Sequence, residues 1–333
     1  MVVLRLRQLA DAIHERERFD EARELEGPLE RPVDLAPVLR GHTGSIYDRR
    51  RMPLTTEDAS GSEVARAESR RAGRELVLEL VFRPLSNLLV PLLARMGIAP
   101  PVVVLANAAT GLLAALAIAR GELLVAALLL QLKTLLDNSD GQLARVTGRV
   151  TLAGRYLDTE ADLVVNVALF AALGHVTGEP LLSAAAFVAL TIVLAVDFNL
   201  TELYRAARHL AETPAFEVGS RVEHVLATIY GVTFALLDRT LRAASERRFE
   251  RLAGDASGER AHAARLAYVD PLTVSVLANL GLSTQLAALG ICLALAAPEA
   301  YLWVAFTSLA LLVPLQIRAE RHARVALRQP REA

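Results

Sequence analysis

The sequence contains very little cysteine and lysine, and its charges nearly cancel. Cys292 is the only cysteine among 333 residues, which excludes an intramolecular disulfide and a cysteine-based zinc site. The formal net charge is -1 and Lys133 is the only lysine, so the chain is not a generally basic protein of the kind that binds nucleic acid. The first residues lack the charged, apolar and small-residue regions of a signal peptide, and we expect no cleavage there.

Apolar residues are in excess and lie in long blocks. They make up 53% of the chain, and a helix needs roughly 20 mostly apolar residues to cross a bilayer. The pattern predicts an all-α, polytopic membrane protein with six transmembrane helices. We place the six spans at 98–119, 122–145, 156–174, 180–201, 273–297 and 300–317.

The arginines indicate which ends of these spans face the cytoplasm. Arginines follow the second, fourth and sixth spans, whereas the opposite connections carry only Arg120. Basic residues concentrate in cytoplasmic loops, so we expect a multi-pass protein of the cell membrane with both termini and the arginine-bearing loops facing the cytoplasm. Residues 225–237 are apolar but too short to span, and we expect an interfacial or packed segment there.

The remaining sequence divides the chain into regions of different character. We expect a charged cytoplasmic region at 1–76 and an amphipathic helix in the membrane interface at 77–97. A six-helix transmembrane domain is expected at 98–320, with 203–271 as a cytoplasmic loop and 321–333 as a cytoplasmic tail.

Four aspartates flank the junction of the second and third spans. On a helix, Asp137 and Asp140 share a stripe with two small residues, and Asp158 and Asp162 form a second stripe. Ionisable groups within membrane segments are costly and indicate a functional site. Carboxylates this close need cations between them, and oxygen ligands suit hard ions. We therefore expect Mg²⁺, with Mn²⁺ or Ca²⁺ as alternatives, and two ions at this site.

The motif around these aspartates is similar to a known family signature. DNSDGQLARVTGRVTLAGRYLDTEAD fits Asp-x2-Asp-Gly-x2-Ala-Arg-x8-Gly-x3-Asp-x3-Asp at all eight fixed positions. On this motif the chain resembles the CDP-alcohol phosphotransferases. The sequence Arg83-Pro84-Leu85-Ser86 looks like the family's lead-in, but Pro101 and Val104 stand where members often carry Asn and Thr.

The resemblance implies a membrane enzyme with six spans and a polar cavity that opens to the cytoplasm. Such an enzyme transfers a phosphatidyl or other phospho-alcohol group from a CDP-activated donor to an acceptor alcohol and releases CMP. The expected partners are therefore donor, acceptor and membrane lipids, with a homodimer as one option and no nucleic acid. By resemblance, the metal ligands are Asp137, Asp140, Asp158 and Asp162, the base is Asp162, and the CDP donor contacts Asp140, Gly141, Ala144, Arg145 and Gly154.

Four other cations lie near the motif. Lys133 is one turn before Asp137 and would pair with it or reach a phosphate. Arg149, Arg155 and Arg205 are candidates for phosphate or acceptor contacts, against the simpler interpretation of charges at a membrane boundary.

Two asparagines and the small residues of the motif have simpler interpretations. Asn107 and Asn279 lie in similar apolar settings, and we expect interhelical hydrogen bonds from them. Gly141 and Ala144 leave room for a ligand, but close helix packing would also explain them.

Three other functions fit parts of the pattern. An intramembrane Mg²⁺-dependent prenyltransferase also clusters aspartates, although at other spacings. A cation transporter would need polar residues through to the other face, and a non-catalytic membrane protein would not need the complete motif. The acceptor is less defined: the DGQLAR sequence and the lead-in look closest to members that use inositol phosphate or related polyols.

Overall fold

We describe the protein from a computed structural model, which places residues 75–208, 228, 235–254, 256 and 258–328, with the backbone alone at 235–237. The expected region 1–76 lies almost wholly outside these residues, as does most of 225–237. Within the described part the chain is helical and has no strand. The α-helices are α1 (Arg83–Arg95), α2 (Pro100–Ala119), α3 (Leu123–Val146), α4 (Leu152–Thr177), α5 (Pro180–Ala207), α6 (Ala235–Ala253), α7 (Glu259–Tyr268), α8 (Pro271–Ala278), α9 (Leu282–Ala294) and α10 (Pro298–Arg328).

Five segments among the described residues are long and apolar enough to cross a membrane. They are α2, α4, α5, the stretch Glu259–Ala294 and α10. The helix α3 has 24 residues, but it carries three charged residues from its middle onward, Lys133, Asp137 and Asp140. Because of these charges, α3 is a candidate functional element and is not among the segments that are apolar enough to cross a membrane.

Tight turns join α2 to α3 and α4 to α5, so these helices are antiparallel neighbours. Gly121 and Gly178 take positive φ angles of 76° and 72°, a conformation that glycine adopts without strain. A buried apolar cluster then forms between α2, α3, α4, α5, α9 and α10, with Leu130, Leu173 and Leu302 fully enclosed. The helix α2 packs against both α3 and α4, and so holds together the two helices that carry the aspartates.

The fifth predicted span is not one continuous helix. The stretch 273–297 contains the end of α8, a break at 279–281 and then α9. Asn279 Nδ2 donates to the Ser275 carbonyl, 2.7 Å away, and Asn279 Oδ1 accepts from the Leu76 backbone N–H, 2.8 Å away. A Cβ on Gly281 would lie 2.8 Å from the Ala278 carbonyl oxygen. The uninterrupted apolar sequence predicted one span here, because hydropathy carries no information about these hydrogen bonds and close backbone contacts.

The segment predicted as an interfacial helix at 77–97 is helical from a short π-helix, Leu78–Phe82, into α1. One face packs on α3, where the Ser86 and Ser139 hydroxyl oxygens are 3.2 Å apart. The other face exposes Leu80, Leu88 and Leu92. The segment therefore has one packed side and one apolar outer side.

Candidate active site

Three of the four aspartates come together where α3 ends and α4 begins. Asp137, Asp158 and Asp162 each offer a carboxylate oxygen, and these oxygens lie within 4.8 Å of one another. All three residues are half-buried. Carboxylates from the two stripes predicted by helical spacing thus lie close together at the α3–α4 junction, at a separation that a single cation can bridge.

Asp140 lies beside this group but is not a member of it. Its side chain is buried, and Asp140 Oδ2 has no hydrogen-bond partner among the described residues. Asp158 Oδ1 is likewise buried and has no hydrogen-bond partner among the described residues. A buried carboxylate oxygen without a partner is unfavourable, and a hard divalent ion is the ligand that such oxygens suit. The residues present therefore fit a divalent cation.

Lys133 lies against the cluster and is fully buried. Its Nζ donates to Asp162 Oδ1, 2.8 Å away, and lies 3.7 Å from Asp137 Oδ1. The sequence predicted a pair with Asp137 or a contact with a phosphate; Lys133 does lie near Asp137, but its shorter contact is with Asp162 on α4. The Lys133 ammonium consequently links the two aspartate stripes.

Asn107 was expected to make an interhelical hydrogen bond, and it does so at the aspartates. Its Nδ2 donates to Asp137 Oδ1, 2.9 Å away, from the buried face of α2. Asn107 is not among the site residues predicted from the sequence. A polar residue in an apolar span could have indicated a role for it, but only the packing of α2 on α3 identifies Asp137 as its partner.

Gly141 and Ala144 are half-buried on the α3 face that continues the Asp137 stripe. A Cβ on Gly141 would meet only the Arg145 side chain, at 3.5 Å, among the described residues. Gly111 on α2 behaves differently, because a Cβ there would lie 3.0 Å from Val165 Cγ2 and 3.2 Å from Lys133 Cδ. Helix packing therefore explains Gly111 but not Gly141, whose face is open to a ligand.

The remaining predicted residues are spread around the site. Gly154 lies in the first turn of α4, where its N–H donates to Thr151 Oγ1 at 3.1 Å. Arg145, Arg149 and Arg155 are exposed at the α3–α4 junction. Arg205 is not brought to the aspartates by any described contact, and its Nη1 lies 2.8 Å from Glu202 Oε1.

A cavity of about 410 Å³ extends from the aspartates between α4 and α5. Asp158 and Asp162 line it, whereas Asp137 and Asp140 do not. Asp238 of α6 also lines it and accepts a hydrogen bond from Asn199 Nδ2 at 2.8 Å. Asp238 falls within the loop predicted at 203–271 and is not among the predicted site residues, but it lies on the helix α6.

Residues 97–247, just under half of the chain, match the CDP-alcohol phosphatidyltransferase family model. This part of the chain is similar to that family. The match begins just before α2 and ends within α6, so it includes both aspartate stripes and most of the cavity wall. No curated protein and no solved structure matches the chain.

The CDP-alcohol phosphatidyltransferase domain and the apolar helices together indicate a membrane phosphotransferase. This finding confirms the family resemblance of the motif. It favours a transferase over the prenyltransferase and cation-transporter interpretations.

Proposed function

We propose that this protein transfers a phospho-alcohol group from a CDP-activated donor to an acceptor alcohol and releases CMP. The observation that carries the proposal is the convergence of Asp137, Asp158 and Asp162 within 4.8 Å at the α3–α4 junction, inside a matching family domain. The reaction would belong to phospholipid or polyol phosphodiester synthesis. It is a transfer of a substituted phosphate group.

We assign divalent-ion binding to the four aspartates, with Mg²⁺ as the ion and two ions as the expected number. Asp137, Asp158 and Asp162 form the central group, and the unpartnered oxygen of Asp140 supplies a further ligand. When bound, the ion neutralises charge on the diphosphate of the donor. The open face at Gly141 and Ala144, together with Arg145 and Gly154, would hold the cytidine and diphosphate.

Asp162 is the residue that we assign as the general base. It lies on the wall of the cavity, so an acceptor there can reach it. Lys133 holds Asp162 Oδ1, which orients the carboxylate and directs Oδ2 to the acceptor. The acceptor oxygen forms a bond to the phosphorus that carries the alcohol, the bond from that phosphorus to the bridging oxygen breaks, and CMP leaves with its electron pair. Asp162 takes the acceptor proton.

Asp162→Asn tests this assignment. We expect CMP release by the full-length protein in lipid nanodiscs to fall about a hundredfold or more, because an amide cannot take the proton. CDP affinity should change little, and extra Mg²⁺ should not restore turnover. Glu179→Gln removes a carboxylate at the other end of α4 and serves as the matched control.

Turnover within about tenfold of wild type would remove Asp162 as the base. If Mg²⁺ at high concentration restores the variant, Asp162 is a metal ligand only. If the wild-type protein releases no CMP from any CDP-activated donor, the transferase proposal fails and the non-catalytic interpretation replaces it.

A further inference from the structure

A carboxylate of α5 reaches the break between α8 and α9. A Cβ on Gly281 would lie 3.7 Å from Asp197 Oδ2, so the Asp197 side chain faces this break. The helix α5 is one of the segments that are apolar enough to cross a membrane. Asp197 Oδ1 is buried, and neither a hydrogen-bond donor nor a basic side chain of the described residues pairs with it. An ionisable group in such a segment is costly and indicates a functional site.

Gln285 of α9 supplies a second oxygen at the break. The residue is 2% exposed. Its Nε2 donates to the Leu280 carbonyl at 3.3 Å and to Ser308 Oγ at 2.9 Å, and these two bonds use both hydrogens of the amide nitrogen. A carbonyl oxygen can only accept, so the contact with Leu280 fixes which end of the amide is the nitrogen. Gln285 Oε1 is then left buried, with no partner in the part of the chain that the structure describes.

Thr284 supplies a third oxygen. Elsewhere in the protein, Thr110 and Thr134 each donate to the carbonyl four residues earlier in their own helix. The carbonyl four residues before Thr284 is that of Leu280, which lies in the break and accepts from Gln285. Thr284 Oγ1 is buried and has no hydrogen-bond partner within the described ranges. The break thus leaves this hydroxyl without the bond that threonines make in the continuous helices.

The three oxygens belong to residues on one side of the break. Residues three and four positions after Gly281 lie over it on the same helix face, and these residues are Thr284 and Gln285. Asp197 approaches Gly281 from the direction of the missing Cβ, so it lies on that face as well. The Ala278 carbonyl oxygen is 2.8 Å from the same Cβ position. A carboxylate, an amide oxygen, a hydroxyl and a backbone carbonyl therefore border one small region beside the break.

This set of oxygens suits a monovalent metal cation. Buried polar atoms are normally paired, and a cation is the ligand that several oxygen acceptors can share. Asp197 carries the single negative charge of the set, and a monovalent ion balances it. A divalent ion would leave a positive charge in apolar surroundings, which is unfavourable. Interrupted membrane helices are also known to coordinate Na⁺ through carbonyl oxygens at the break.

We propose that Asp197, Thr284 and Gln285 bind a monovalent metal cation at the α8–α9 break. The site is separate from the aspartate cluster: none of its three residues lines the α4–α5 cavity, although the adjacent Phe198 and Leu282 do. The bound ion links α5 to the start of α9 and so stabilises this wall of the cavity. The proposal does not depend on the transferase function. In the competing interpretation, Asp197 holds a proton and no metal ion binds.

Thermal unfolding of the full-length protein in nanodiscs tests the site. EDTA removes divalent ions, and NaCl or KCl replaces choline chloride at constant ionic strength. We expect Na⁺ or K⁺ to raise the melting temperature by several degrees and to saturate, because an ion that binds only the folded protein stabilises it. Asp197→Asn should abolish this increase. Asp158→Asn removes a carboxylate of the aspartate cluster instead and is the matched control, which should retain the increase.

Direct binding gives a readout that is independent of stability. We expect one radioactive Na⁺, or one radioactive Rb⁺ in place of K⁺, to bind per protein in wild type and in Asp158→Asn, and none in Asp197→Asn. Thr284→Val removes one oxygen while retaining the shape of the side chain, and it should weaken ion affinity about tenfold. Thr284→Val also replaces Asp197→Asn in both experiments if that variant does not fold.

Two results would overturn the proposal. The first is the absence of any Na⁺ or K⁺ effect in wild type, or an equal effect in wild type and Asp197→Asn, which would leave Asp197 as a protonated side chain. The second is loss of ion binding in Asp158→Asn with binding retained in Asp197→Asn, which would place the ion in the aspartate cluster. Neither result bears on the transferase function, which CMP release tests separately.

Discussion

At the scale of single residues, Lys133 is the most unusual feature of the site. It is a fully buried cation in α3, in contact with carboxylates of two helices. Removal of one partner from a buried ion pair costs about 3–5 kcal/mol, because the other charge remains without compensation. Lys133 therefore stabilises the aspartate cluster when no divalent ion is bound.

Lys133→Met should make the stability of the protein depend more strongly on Mg²⁺. Without the ammonium, the carboxylates repel one another until an ion binds, and the greater negative charge attracts that ion more strongly. We expect the increase in melting temperature on addition of Mg²⁺ after EDTA treatment to be larger in this variant than in wild type. Lys133→Arg retains the charge and is the control. An equal Mg²⁺ effect in wild type and Lys133→Met would contradict this role.

The aspartate cluster could be predicted from the sequence, but its cross-links could not. Spacings of three and four residues place each aspartate pair on one helix face, and the two helices are joined by a short linker. The contact from Lys133 to Asp162 and that from Asn107 to Asp137 depend on how α2, α3 and α4 pack. Sequence spacing carries information within a helix, whereas these contacts lie between helices.

At the scale of helices, two glycines of similar appearance in the sequence have different surroundings. Gly111 allows α2 to approach Val165 and the Lys133 stem, whereas Gly141 faces open space beyond Arg145. Gly111→Leu should lower the melting temperature in detergent, since overpacking of a close contact is destabilising. Gly141→Leu should retain the melting temperature and lose CDP binding.

Calorimetry with CDP and Mg²⁺, together with thermal unfolding of both variants, tests this contrast. A large fall in melting temperature for Gly141→Leu with CDP binding preserved would mean that Gly141 is a packing residue. Retained CDP binding at a normal melting temperature would place the nucleotide elsewhere.

The break between α8 and α9 could not be predicted from hydropathy. The apolar residues continue through it, so composition predicts one span. The Asn279 side chain and the Gly281 backbone end one helix and begin the next. Irregular backbone within a membrane is tolerated where protein groups satisfy its hydrogen bonds. At this break, the hydrogen bond from the Leu76 N–H to Asn279 Oδ1 supplies one such contact.

At the scale of the whole molecule, the basic helix ends lie together. Arg208 at the end of α5 contacts Val269, and the adjacent Asp270 lies 3.4 Å from Arg318 of α10. The start of α4 lies at the same end, because Arg155 and Phe198 line one cavity. The aspartates and the arginine-rich ends are therefore on one side, and the bias of basic residues predicts that this side is cytoplasmic.

Single cysteines in a Cys292→Ser background test this orientation. We propose six spans, with α3 among them, and expect Val150→Cys and Ser257→Cys to react with a membrane-impermeant maleimide from the cytoplasmic face of sealed vesicles. Glu179→Cys, at the α4–α5 turn, should react from the opposite face. The proposed reaction takes a CDP-activated donor from the cytoplasm and releases CMP there, so it requires Val150 on that side. Reaction of Val150→Cys and Glu179→Cys from the same face would mean that α4 does not cross the bilayer, and reaction of Ser257→Cys from the face opposite Val150→Cys would mean that the segment between α5 and α6 crosses it.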